Sequence, residues 1–208
     1  MTNFTLYLVT DRELSSLPLE EAVEQAIQGG CTVVQLREKH ACAREFYETA
    51  LTLRAITRKY HVPLLINDRV DIALAADADG VHLGQSDLPC RAARDILGPQ
   101  KLIGISAATL EEARKAQADG ADYIGVGAVN PTATKTDTRT VTSSQLAQIK
   151  AAVSIPVVAI GGIHPKTLTG LRGTGVDGIA VVSAILSQPS PKQAARDLLE
   201  QFRGLRHA

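Results

Sequence analysis

Aromatic residues are scarce: they make up 3% of the 208 residues, and tryptophan is absent. That scarcity excludes a platform on which successive bases or sugars stack. Net charge is lacking as well, because 22 Lys and Arg cancel 22 Asp and Glu. The basic footprint of a nucleic-acid or anionic-membrane binder is therefore missing. The three cysteines, Cys31, Cys42 and Cys90, lie far apart with no Cys-x-x-Cys pair. Neither a zinc ribbon nor a disulfide framework is encoded, and a reducing compartment is expected. No apolar run is long enough to span a membrane. The longest candidate, 151–165, is interrupted by Pro156 and Gly161-Gly162 and falls short of the roughly 18 residues required. The N-terminal MTNFTLYLVTDRE has no basic segment before its brief apolar run, so it reads as a first strand rather than a signal peptide.

What is present is an alternation of short β-branched runs and longer helical patterns. Strands are predicted at 4–9, 32–36, 63–66, 80–83, 102–105, 123–126, 156–160 and 178–182. Helices are predicted at 19–28, 43–59, 70–76, 90–97, 110–119, 143–152, 165–171 and 192–202, with apolar residues at three and four spacing. Strands apolar on both faces, each followed by a helix, call for a parallel sheet covered on its outer side. Dividing 208 residues among eight units leaves 26 for each, close to the minimum for a strand, a helix and two short loops. The expected architecture is a (β/α)8 TIM barrel of eight parallel strands, with residues 1–208 forming one catalytic domain. A near-repeat supports it: Ala78-Asp79-Gly80, Ala121-Asp122-Tyr123 and Val176-Asp177-Gly178 each enter a strand through an aspartate. The rival open sheet usually carries a glycine-rich loop after its first strand, whereas here the loop is Thr10-Asp11-Arg12-Glu13.

In a barrel, function belongs to the loops after the strands. Those loops hold the polar residues: Gln35, Arg37, Glu38 and Lys39; Asn67 and Asp68; Gln85 and Asp87; Ser106; and 130–137. Gly161-Gly162 after strand seven and Val182-Ser183 after strand eight occupy the usual phosphate position of such barrels. Arg37, Lys39 and Lys135 converge on the same mouth. Asp68 and Asp87 follow neighbouring strands, and two carboxylates with room for water suit Mg²⁺; an acid/base pair or two helix caps are the alternatives. His82 reads as a hydrogen-bonded residue of the barrel interior. His40, His61, His164 and His207 show no metal spacing.

Taken together, Gln35-Leu36-Arg37-Glu38-Lys39, Ile66-Asn67-Asp68, the run Gly80-Val81-His82-Leu83-Gly84-Gln85-Ser86-Asp87, Gly104-Ile105-Ser106, Pro131-Thr132-Ala133-Thr134-Lys135, Ile160-Gly161-Gly162-Ile163 and Ala180-Val181-Val182-Ser183 resemble the thiamine-phosphate synthase family. The resemblance covers seven of eight strand ends in order. It implies a cytoplasmic, Mg²⁺-dependent transferase that joins hydroxymethylpyrimidine diphosphate to methyl-(phosphoethyl)thiazole, releasing diphosphate. The partners it implies are these two small molecules, not nucleic acid or membrane; assembly into a homo-oligomer stays open. By the same resemblance, Gln35, Leu36, Arg37, Glu38, Lys39, Asn67, Ser106 and Lys135 bind the pyrimidine diphosphate, and Asp68 and Asp87 hold the metal. Thr132, Ala133, Thr134, Gly162, Val182 and Ser183 then bind the thiazole phosphate. Ser106, Lys135, Arg37 and Lys39 are the expected catalytic residues, absorbing charge on the departing diphosphate. The neutral thiazole nitrogen attacks directly, so no general base is required. Two departures from the family pattern are Ala107-Ala108 after Ser106 and Gly127-Ala128-Val129-Asn130 before Pro131. A thiazole tautomerase of the same family and a non-catalytic phosphate-ligand barrel are the competing readings.

Overall fold

The structure, a computed structural model, describes residues 2–131 and 140–206. Eight parallel strands close into a barrel in chain order: β1 (Leu6–Val9), β2 (Val33–Leu36), β3 (Leu64–Asn67), β4 (Gly80–Leu83), β5 (Leu102–Ala107), β6 (Tyr123–Val126), β7 (Val157–Ile160) and β8 (Gly178–Val181), with β8 pairing back to β1. Around them stand α1 (Leu19–Gln28), α2 (Ala43–Lys59), α3 (Val70–Ala75), α4 (Cys90–Leu97), α5 (Leu110–Ala118), α6 (Ser143–Ala152), α7 (Ser183–Leu186) and α8 (Pro191–Arg206). This is the expected barrel.

Alternation along each strand divides the apolar residues into two layers. One, including Leu8, Val34, Leu36, Ile66 and Val81, packs against the helices. The other fills the barrel interior with Phe4, Tyr7, Val9, Val33, Leu65, Tyr123, Val158 and Ala180. Among the described residues no helix is long and apolar enough to cross a membrane.

The near-repeat has a mechanical meaning. Asp79, Asp122 and Asp177 each turn a carboxylate back to the preceding strand, where it accepts the backbone N–H of Leu64, Ile103 or Val157, each at 2.7 Å. The same carboxylate oxygens pair with a cation from the helix before that strand: Arg54 at 2.9 Å, Arg94 at 2.6 Å and Lys150 at 2.7 Å. At β1 the uncharged Thr32 hydroxyl accepts the Leu6 N–H at 3.1 Å instead. Three charged clasps of one design and one uncharged counterpart thus tie neighbouring strands together at the bottom of the barrel.

Three of the differences from expectation bear on the site. The helix expected at 165–171 is only a 3-10 turn, Leu168–Leu171. Gly170 and two threonines weaken the segment, and Thr167 Oγ donates to the Gly162 carbonyl at 2.8 Å and ties the chain into a loop. β5 runs on through Ser106 and Ala107, which pair with Gly125 and Val126. Ser183–Leu186, read as loop, is one helical turn.

Candidate functional site

Inward-facing strand positions and the loops beyond them enclose a cavity of about 650 Å³ at the C-terminal end of the barrel, a volume typical of small-molecule sites. Gln35, Arg37, Lys39, Asn67, Asp68, Asp87, Ser106, Gly162, Val182 and Ser183 all line it, so ten predicted residues are brought together. Two are not. Leu36 is fully buried in the helix-facing layer: because Gln35 points inward, its neighbour on the strand must point out. Glu38 borders an adjoining recess and pairs with Arg12 at 2.9 Å. Thr132, Ala133, Thr134 and Lys135 lie outside the described residues. The cysteines take no part: Cys31 and Cys90 are buried, burial pushes the Cys31 thiol up, and exposed Cys42 precedes α2.

The Arg37 side chain is only 11% exposed and reaches Asp11 at 3.4 Å. Its backbone N–H donates to the buried Thr10 hydroxyl at 3.0 Å, which fixes where it leaves β2. The buried Nη2 has no hydrogen-bond partner among the described residues. A buried donor on a permanent cation is costly to leave unsatisfied. An anion in the cavity that Arg37 lines would satisfy that donor.

Asp68 follows β3 directly, with φ +63° and its N–H donating to the His82 carbonyl at 2.9 Å. That bond ties the end of β3 to β4. Asp87 accepts the Gly84 N–H at 2.6 Å through Oδ2. Neither residue stands at the N-cap position of the helix that follows it. The N-caps of α3 and α4 are Arg69 and Pro89, neither with a side-chain cap bond. The donor set fits Mg²⁺, which takes one or two carboxylates and completes its shell with water and substrate phosphate. Among the described residues no cluster of three His, Cys, Asp or Glu gathers to enclose a metal, so such an ion would need those outside oxygens.

Gly161 and Gly162 have φ of +99° and +59°. A Cβ on Gly162 would stand 2.6 Å from the Pro131 carbonyl, and one on Gly161 2.5 Å from the Ala128 Cβ. The pair is therefore required by both conformation and close approach.

Beneath the mouth lies a polar line that the sequence did not disclose beyond His82. Gln35 Nε2 donates to the Tyr7 hydroxyl at 2.7 Å, and that hydroxyl lies 2.8 Å from the Tyr123 hydroxyl. Nδ1 of His82 is 2.8 Å from the same Tyr123 oxygen, and Nε2 is 3.0 Å from Ser106 Oγ. Burial pushes both tyrosines well above their ordinary pKa, so each stays a protonated donor at neutral pH. Gly104 makes room for the line: a Cβ there would stand 2.1 Å from Cζ of Tyr123. Gly104→Ala is expected to cost about 1–3 kcal/mol of stability, the usual range for overpacking a core. A lower guanidinium midpoint would report it, and an unchanged midpoint would mean the ring has somewhere else to go.

Residues 6–185 match the family described as thiamine monophosphate synthase. A thiamine-phosphate synthase of Ruminiclostridium cellulolyticum is 58% identical over 201 residues, 96% of each chain. One from Clostridium botulinum is 55% identical, covering 96% of this chain and 94% of that one. Among solved structures, a thiamine phosphate pyrophosphorylase from Pyrococcus furiosus superimposes with a TM-score of 0.90 at 43% identity, covering 98% of both chains. An orotidine 5'-phosphate decarboxylase from Pyrococcus horikoshii, at TM-score 0.69 and 13% identity, shares the fold alone.

Proposed function

Because the chain belongs to the thiamine monophosphate synthase family, we propose that its cavity joins hydroxymethylpyrimidine diphosphate to methyl-(phosphoethyl)thiazole, giving thiamine phosphate and diphosphate. The carrying observation is Arg37, a buried guanidinium with a donor unmatched among the described residues, lining one cavity with Lys39 and two carboxylates. Such a mouth suits a diphosphate that arrives with a metal ion.

The roles follow from position. Gln35 and Asn67 project from strand ends into the cavity and orient the pyrimidine. Arg37, Lys39 and Ser106 face the leaving group, joined by Lys135. The C–O bond to the methylene breaks, and its electron pair leaves with the diphosphate. The aminopyrimidine ring delocalises the resulting cation, and the thiazole nitrogen lone pair forms the new C–N bond. No proton has to be removed, and orientation supplies much of the remaining rate. Asp68 and Asp87 would hold Mg²⁺, which when bound neutralises charge developing on the leaving oxygens. Gly162, Val182 and Ser183, with Thr132 to Thr134, take the thiazole phosphate. On this reading residues 1–208 work as one catalytic domain in the cytoplasm, with small molecules as partners and neither nucleic acid nor membrane involved.

Purified protein supplied with both substrates is expected to form thiamine phosphate with Mg²⁺ and to stop when the ion is chelated. Product mass is the readout. Conversion of the thiazole phosphate to an isomer with no thiamine phosphate formed would overturn the synthase reading in favour of the tautomerase.

A further inference from the structure

The polar line beneath the cavity has a direction, and that direction decides what Ser106 can do. Tyr7 accepts from Gln35 Nε2 at 2.7 Å, so its own O–H goes to its other polar neighbour, the Tyr123 oxygen at 2.8 Å. Tyr123 has then accepted a bond and directs its O–H onward to His82 Nδ1 at 2.8 Å. With Nδ1 an acceptor, the proton of a neutral imidazole sits on Nε2 and donates to Ser106 Oγ at 3.0 Å. Ser106 thereby receives a bond on its oxygen and keeps its O–H for the cavity it lines.

We propose that Tyr7, Tyr123 and His82 are positioning residues that set Ser106 as a hydrogen-bond donor aimed at the departing diphosphate. On this assignment they act on the leaving group through Ser106, although their side chains also border the cavity floor. Reversal of the Gln35 amide would run the line the other way. Tyr7 would donate to Gln35, His82 would carry its proton on Nδ1, and the Ser106 hydroxyl would be spent on Nε2, leaving no donor for an anion. Two glycines shape the path: Gly104 admits the Tyr123 ring, and a Cβ on Gly125 would stand 3.0 Å from His82 Cε1. The burial of both phenols keeps their protons in place. At its far end, Gln35 is left with its carbonyl for the cavity, where an amino group of the pyrimidine can donate to it. One line thus serves both ends of a single substrate. This rests on the synthase reading for the identity of that substrate, whereas the direction of the line does not.

The test has two arms. Long-range ¹H–¹⁵N spectra of the full chain at neutral pH, with the His82 signals identified by their loss in His82→Gln, are expected to show the proton on Nε2. A proton on Nδ1 overturns the proposal. In the second arm Tyr123→Phe keeps the ring and removes the relay oxygen. Turnover is expected to fall about 10–100-fold, as when a supporting hydrogen bond behind a functional group is removed. KM for the pyrimidine diphosphate is expected to stay within about threefold. In a Ser106→Ala background the same change should cost less than about twofold, because the residue through which it acts is gone. Additive losses, or unchanged turnover in the single variant, refute the positioning role. Tyr7→Phe repeats this arm if Tyr123→Phe does not fold. Absence of product from the unaltered protein, with the proton found on Nε2, would remove the synthase reading and leave the direction of the line standing.

Discussion

Asp68→Asn is expected to lower thiamine phosphate formation by about 10²–10³-fold, the scale of losing one charge-stabilising group from a polar site. The Mg²⁺ concentration needed for half-maximal rate should rise with it. Asparagine is the informative choice because Asp68 has φ +63°, a left-handed conformation that Asn tolerates and most other side chains do not. Alanine would add about 1–2 kcal/mol of backbone strain and confuse charge with shape. Asp68 is exposed, so its melting temperature should stay within about 2 °C of the unaltered protein. Turnover within threefold of the original would remove Asp68 from the metal site.

The second large effect runs in two directions. Arg37→Met is expected to cut turnover by about 10²–10³-fold and at the same time raise stability by about 1 kcal/mol, which corresponds to a melting point about 2–4 °C higher. Methionine keeps the buried stem and removes a guanidinium whose Nη2 has no partner among the described residues. The Asp11 carboxylate left behind is 20% exposed and also accepts the Glu13 N–H, so water and backbone can serve it. A gain in stability with a loss of activity is the signature of a group held in strain for its ligand. Calorimetry and initial rates on the same preparation test both halves. A lower melting point with normal turnover would make Arg37 a structural cation.

The barrel was legible because eight apolar runs recur with helical patterns between them, and length left no spare residues. The mouth was legible from the polarity of the loops alone. What escaped was the facing of individual residues. In a strand buried on both sides, Val33 and Val34 look alike, although one fills the barrel and the other packs on helices. Gln35 was the usable signal, since an inward polar residue sends Leu36 outward. The turn at Leu168–Leu171 escaped because its Thr–Gly composition resembles a weak helix until Thr167 is seen bonding to Gly162. Tyr7 and Tyr123 escaped for another reason. They are 116 residues apart, and nothing local in the sequence says that their hydroxyls meet.

Phe4, Tyr7 and Tyr123 also form a floor. The Phe4 and Tyr123 ring centroids lie 4.5 Å apart, and all three side chains are at most 5% exposed. A pyrimidinylmethyl cation has two possible captors, the thiazole nitrogen and water, and hydrolysis is the wasteful branch. With these three buried rings beneath the cavity, the proposed reaction would meet water at the mouth, where the second substrate is expected to sit. On the proposed function, the partition between product and hydrolysed alcohol would then be governed at the mouth, with the thiazole phosphate serving as stopper as well as nucleophile.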